Sequence, residues 1–326
     1  MNTRRFGRAG IDVSEIAFGG GRTGGILIDA DDDTRRRAIR TALDHGINWF
    51  DTAPQYGDGK SEKALGWLLA EIDETPYVST KVRIGDADLG DIAGKIERSL
   101  HESLARLQRG SVDLLQLHNL IETEPSKTAL TVDHVLGPNG VAEEMERLRD
   151  QGLIRFMGMS ALGDHMETAR IIESGRFDSA QVYYNMINPS AARAAMPDKW
   201  SDFDSTGIIE ACKQQDMAVM AIRIFAASYL ATPIRTGRES YLTRNTDAAS
   251  EARMSGTLFA VLGDQYGTRA QTATRFALSN LDVSFAVIGL SDPAHIDEAV
   301  AAAEKGKLPA EAFHKLEALY ESGFAL

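Results

Sequence analysis

Cysteine is nearly absent: Cys212 is the only one in 326 residues. No internal disulfide can form, which excludes a disulfide-stapled scaffold and fits a reducing, cytoplasmic setting. Cys212 lies in IIEACKQQ, which reads as a helix face, so a packed core thiol is the plain expectation and a reactive one the alternative. Basic blocks are missing too. The net charge of −12 argues against nucleic acid as the main partner. No apolar run approaches the length of a membrane span. The opening MNTRRFGRAGIDVSEI has no apolar core of a secretory signal. The chain also lacks any His-x-His pair. Its seven histidines (45, 101, 118, 134, 165, 295 and 314) are scattered, so a metal-dependent hydrolase, which needs clustered ligands, is poorly supplied. Small molecules remain the expected partners, with no nucleic acid and no membrane.

What is present is a repeat of helix, glycine and apolar strand. A helical segment ends at Gly46 before INWFD, at Gly110 before SVDLLQL, at Gly152 before LIRFMGMS and at Gly175 before RFDSAQV. A glycine at such a place suits the left-handed cap that closes a helix. Ile92, Ile96, Leu100, Leu104 and Leu107 recur on one helical face. Asp31-Asp32-Asp33-Thr34 offers a capping side chain and acidic charge at a helix start. The strands are continuous apolar runs, as strands buried on both faces should be. Eight are expected, at Ile16–Gly19, Ile47–Phe50, Tyr77–Thr80 and near Val112, Ile154 and Ser179, then at Met217–Ile222 and Phe285–Ile288.

That count points to a single (β/α)8 domain over residues 1–326, the TIM barrel, preceded by a small β-hairpin around Gly7–Gly10. An open doubly wound sheet is the alternative. It needs a phosphate-binding G-x-G-x-x-G turn, and the loop Gly19-Gly20-Gly21, Gly24-Gly25 does not lead into a helix that way. This loop reads instead as a place where backbone approaches a ligand. Long loops follow strands six (Asn185–Thr206) and seven (Phe225–Glu251), the latter running on to a helix near Ala252–Tyr266. Both follow strand ends, where a barrel builds its pocket, and Trp200 is expected to line it. A last helix, Ala310–Tyr320, follows Pro309.

In such a barrel all carboxyl-terminal strand ends face one mouth. Asp51, Lys81 and His118 close strands two, three and four, and Tyr56 follows strand two by one short loop. Singly each has an ordinary reading: a turn cap, a structural ion pair, a core histidine, a loop tyrosine. Jointly they suit carbonyl reduction. Hydride addition leaves negative charge on oxygen, and a proton must arrive there. A Lys81 ammonium favours the Tyr56 phenolate and would help the phenol give up its proton. Asp51 would hold Lys81, and a neutral His118 would orient the carbonyl.

The segments GINWFDTAPQYGDGKSEKALGWLL, YVSTKV, SVDLLQLHN, IRFMGMSAL, SAQVYYNMINP and TRFALSNLDVSFAVIGLSDPAHIDEAV carry a further signal. In this order they resemble the aldo-keto reductases, with a flavour of the bacterial sugar-dehydrogenase-like members. The resemblance implies a (β/α)8 barrel that binds extended NADP(H) or NAD(H), with Asp51, Tyr56, Lys81 and His118 as its catalytic four. Ser160 and Gln181 match the residues that hold the nicotinamide amide, but Ala161 stands where the family often has Asn. After strand seven the family shows an aromatic residue and then Ser-Pro-Leu. Here the run is AIRIFAAS. Arg223 would stack on the ring, or pair with substrate or pyrophosphate. Gly20 and Phe225 are taken as further cofactor contacts.

Where members preferring NADPH place cations around the 2′-phosphate, this chain has Gly289, Leu290, His295 and Ala299. Ser291 and Glu298 remain as polar groups near a helix start at Pro293. A weakened preference for NADPH is the expectation. The function implied is NAD(P)-dependent hydride transfer between nicotinamide and an aldehyde, ketone or aldose, with Tyr56 exchanging the proton. A cofactor-binding regulatory subunit with little turnover is the alternative.

Overall fold

Eight parallel strands close on themselves in chain order. The computed structural model describes residues 1–325 apart from 201, 236, 238 and 240–246. The barrel strands are β1 (Ile16–Gly19), β2 (Trp49–Asp51), β3 (Tyr77–Val82), β4 (Val112–Leu117), β5 (Ile154–Ala161), β6 (Ser179–Tyr183), β7 (Ala218–Ile222) and β8 (Phe285–Gly289). β8 pairs with β1, Ala286 opposite Ile16, which completes the ring. Helices lie between successive strands, so this is the (β/α)8 barrel expected.

The helix ends explain why the repeat was visible. Asp31 caps the helix Asp32–Asp44, its carboxylate accepting from the Thr34 N–H at 2.9 Å. Ile92, Ile96, Leu100, Leu104 and Leu107 are the buried stripe of Ile92–Leu107. Gly46, Gly152 and Gly175 have φ of +78°, +75° and +68°, the left-handed conformation expected. Gly110 differs. Its helix stops at Leu107, and Gln108 takes the left-handed turn (φ +54°), its N–H reaching back to the carbonyls of Leu104 and Ala105. The turn is completed before the chain reaches the glycine.

The hairpin closes the barrel floor. Thr3–Arg5 pairs antiparallel with Asp12–Ser14, and Phe6 emerges fully buried beneath the strands. Its ring lies 4.7 Å from Trp49 and 5.8 Å from Phe285, centroid to centroid. Arg4 ties the hairpin to the connection before β8 by donating to the carbonyls of Leu278, Asn280 and Val283. Phe6→Ala is expected to lower stability by about 3–5 kcal/mol, because a ring-sized hole in a close-packed floor cannot collapse fully. Chemical denaturation measures it, and a loss below about 1 kcal/mol would show that the hairpin is an ornament.

Among the described residues, no helix is long and apolar enough to cross a membrane. Cys212 is buried, and burial pushes its thiol up to about 12, which makes it a core residue.

Candidate active site

A cleft of about 680 Å³ opens at the carboxyl-terminal mouth. Asp51, at the end of β2, is 3% exposed and is the hub of the site. Its Oδ1 accepts from Ser79 Oγ (2.7 Å), Gln116 Nε2 (2.9 Å) and Gln181 Nε2 (3.1 Å). Its Oδ2 accepts from Lys81 Nζ at 2.6 Å. Trp49 Nε1 in turn donates to Ser79 Oγ at 3.0 Å, so the hub is held from below. A carboxylate with four donors survives burial that an unpaired one would not.

Lys81 is fully buried. It sits inside β3 rather than beyond it, pointing into the mouth by strand alternation from Ser79. Nζ also donates to Thr52 O at 2.8 Å and lies 4.6 Å from the centre of the Tyr56 ring. Burial opposes its charge, but Asp51 and Tyr56 outweigh that and hold its pKa above the ordinary lysine value. The ammonium is therefore a fixed charge beside the phenol.

His118 follows β4 directly. Its N–H donates to Val82 O at 2.8 Å, and its ring stands edge-on to Tyr56, centroids 6.0 Å apart. Desolvation, then the charges of Lys81, Arg83 and Arg223, hold its pKa well below the usual histidine value, so it is neutral at pH 7. Nδ1 lies 3.3 Å from Gln55 Oε1. A neutral imidazole has one donor and one acceptor nitrogen, so the group that Gln55 turns toward Nδ1 decides whether Nε2 carries the proton. The four side chains, three read from strand ends and one from the loop after strand two, thus meet around one point.

The remaining expected contacts divide. Ser160, Gln181, Arg223, Phe225, Gly289, Ser291, His295 and Glu298 all line the cleft. Ser160 and Gln181 lie within β5 and β6, opposite one another in register. Arg223 has a left-handed backbone (φ +53°), and its carbonyl accepts from Asn185 Nδ2. Burial lowers its pKa from the ordinary arginine value, opposed by Tyr183, Tyr56 and Glu251. Glu298 receives a hydrogen bond from Thr268 Oγ1 at 2.5 Å. Gly20 does not line the cleft. Its N–H donates to Asp51 O, and a side chain there would meet Ser61 Oγ at 2.6 Å, so it packs the layer beneath.

The loop after β6 behaves differently from expectation. Among its described residues none lines the cleft. Asn188 folds it inward on itself, accepting from the N–H and Oγ of Ser190 and donating to Phe203 O. The loop is then fastened outward to the last helix, Ala310–Ser322, through Arg193–Glu317 and Tyr320 OH to Met186 O. Trp200 packs against the main core and does not line the cleft. The wall it was expected to supply comes from Asn119, Leu120 and Thr128 after β4. The loop after β7 contributes Phe225 to Thr232 on the other side, while 236, 238 and 240–246 of that expected insert lie outside the described residues.

Ser79 and Gln116, two of the hub's donors, were not anticipated. Each is a polar residue two positions before a candidate site residue, Lys81 and His118 respectively. Period-two spacing puts them on the same face, and that was the available signal. Among the described residues, no three of His, Cys, Asp and Glu converge so as to hold a metal ion.

The model of the Aldo/keto reductase family matches residues 15–321. An L-galactose dehydrogenase of Arabidopsis thaliana is 25% identical over 98% of this chain and 95% of its own. A pyridoxal 4-dehydrogenase of Microbacterium luteolum is 24% identical over 91% of each chain. A D-threo-aldose 1-dehydrogenase of a Pseudomonas species is 26% identical over 72% of this chain and 73% of its own. In fold, the holo form of an aldo-keto reductase from Bacillus halodurans superposes with a TM-score of 0.74, at 22% identity, over 98% of this chain and 96% of that one.

Proposed function

Since the chain belongs to the aldo/keto reductase family and is an oxidoreductase, we propose that it moves a hydride between a nicotinamide cofactor and an aldehyde, ketone or aldose, with Tyr56 exchanging the proton. One observation carries this reading above the others: Lys81 Nζ lies 2.6 Å from Asp51 and 4.6 Å from the Tyr56 ring centre, with a neutral His118 alongside. The names of three relatives, all dehydrogenases of sugars or an aldehyde, support an aldose or aldehyde carbon as the reacting centre.

The residues present fit a dinucleotide. The cleft runs from Tyr56 past β1 to the start of the helix Ala294–Glu304. Gly21 borders the phenol: a Cβ there would stand 3.6 Å from the Tyr56 ring, in ordinary contact. At the far end Thr274 has a buried hydroxyl with no partner among the described residues. Ser160 and Gln181 would hold the carboxamide, and Ser291, His295 and Glu298 the adenosine side. The cofactor, when bound, supplies or accepts the hydride.

This chain's own residues do the rest. Asp51, saturated by its donors, keeps Lys81 fixed. Lys81 stabilises the charge left on the Tyr56 oxygen when the proton passes to the carbonyl oxygen. In the oxidative direction the same phenolate takes the proton back from the alcohol. His118 and Tyr56 together position the oxygen between them.

Preference between nucleotides follows from charge. Past β8 the cleft wall carries Glu298 and no Lys or Arg among the described residues. A 2′-phosphate would meet a carboxylate there, whereas a ribose hydroxyl can donate to it. NADH is expected to give a kcat/KM at least equal to that of NADPH with the same aldehyde. A hundredfold advantage for NADPH would overturn the preference, and absence of turnover across a panel of aldoses and aldehydes would favour a cofactor-binding subunit instead.

A further inference from the structure

Charge on the cleft wall is uneven. Its only described carboxylates are Asp51, which is taken by Lys81, and Glu298, which stands past β8. Against them are Arg22, Arg83 and Arg223, in a chain whose net charge is −12. Arg83 is the informative one. It follows β3 by one residue, and its Nε donates to His118 O at 3.2 Å. That bond fixes the guanidinium beside the imidazole that positions the carbonyl. Among the described residues, no carboxylate pairs with Arg83, and the bond from Nε to His118 O is the one hydrogen bond its guanidinium makes. Asn119 does not serve it, because both ends of that amide are spent on Ile84.

Topology separates Arg83 from the nucleotide. β4 lies directly across the ring from β8. Ser291, His295 and Glu298 follow β8, whereas Arg83 and His118 follow β3 and β4. A cation on the β3–β4 rim therefore faces the part of the cleft left to the substrate. A half-buried guanidinium with two parallel donors matches the two oxygens of a carboxylate.

We propose that Arg83 binds a carboxylate carried by the carbonyl substrate, so that the preferred substrates are oxo acids or acidic sugars rather than their neutral counterparts. This rests on the hydride-transfer reading above. Arg83 acts here as a specificity-determining residue; the hydride and proton steps are those already described.

The test compares 4-oxobutanoate with butanal, read as the ratio of their kcat/KM values, in the wild type, Arg83→Met and Arg83→Lys. In parallel, binding of succinate, which cannot react, is titrated calorimetrically to the same three proteins. The wild-type ratio is expected to favour the acid by about ten- to a hundredfold, the range of a charge-assisted pair. Arg83→Met is expected to lower that ratio at least tenfold, through KM for the acid, and to weaken succinate equally; Arg83→Lys should recover part of both. An unchanged ratio in Arg83→Met would overturn the proposal while leaving hydride transfer standing. Should neither aldehyde react, the hydride-transfer reading fails, and succinate alone decides: no binding to the wild type, or equal binding to Arg83→Met, overturns the carboxylate site. Inorganic phosphate bound more tightly than succinate, and only when Arg83 is present, would overturn the assignment to carboxylate.

Discussion

Tyr56→Phe is expected to lower kcat by about 10²–10⁴, the usual contribution of one positioned acid, while dinucleotide affinity stays within about twofold. The change removes a single oxygen. The ring remains over Lys81 and edge-on to His118, so the site keeps its shape. What disappears is the phenol placed between a fixed ammonium and a neutral imidazole. His118 cannot take over as the acid at neutral pH, since burial and the surrounding cations keep it unprotonated. The same shift bears on stability. Below the ordinary histidine value the unfolded chain takes up a proton that the native ring refuses, so His118 makes the fold less stable as pH falls through that range. Stopped assays with excess enzyme, together with fluorescence titration of NADH, separate the two effects. A variant turning over at the wild-type rate would remove Tyr56 from the proton-transfer step.

Most of the barrel was legible because its rules are local. A helix closed by Gly46, Gly152 or Gly175 and followed at once by an apolar strand repeats within a window of some twenty residues. The four candidate residues of the mouth were legible for a related reason. Strand parity and the common mouth of a barrel put Asp51, Lys81 and His118 together without any knowledge of packing. What escaped was set by contacts between distant segments. Nothing in the sequence near Asn188 says that its amide will turn the β6 loop away from the cleft, or that Arg193 and Glu317 will fasten it to the last helix. Gln116 was passed over, and its partner lies 65 positions away. Gly20 sat in a loop rich in glycine and suggested backbone approach to a ligand. The approach that the structure requires there is to Ser61 and to the Asp51 carbonyl.

Lys81→Met tests the electrostatic centre, and two losses are expected from it. Removing the ammonium leaves Asp51, 3% exposed, with its Oδ2 deprived of a charged donor at 2.6 Å. Breaking a buried pair from one side costs about 3–5 kcal/mol, because the surviving charge stays desolvated. Chemical denaturation should register that loss, and turnover should fall together with it, since the ammonium beside the Tyr56 ring is gone and only the more distant influence of Arg223 remains. The double variant Asp51→Asn/Lys81→Met distinguishes structure from chemistry. An amide oxygen still accepts from Ser79, Gln116 and Gln181 but carries no charge. Most of the lost stability should return, by the coupling expected of contacting residues, while activity stays absent. Recovery of turnover along with stability would mean that Lys81 merely braces Asp51, and the proton-transfer argument would then need another cation near Tyr56.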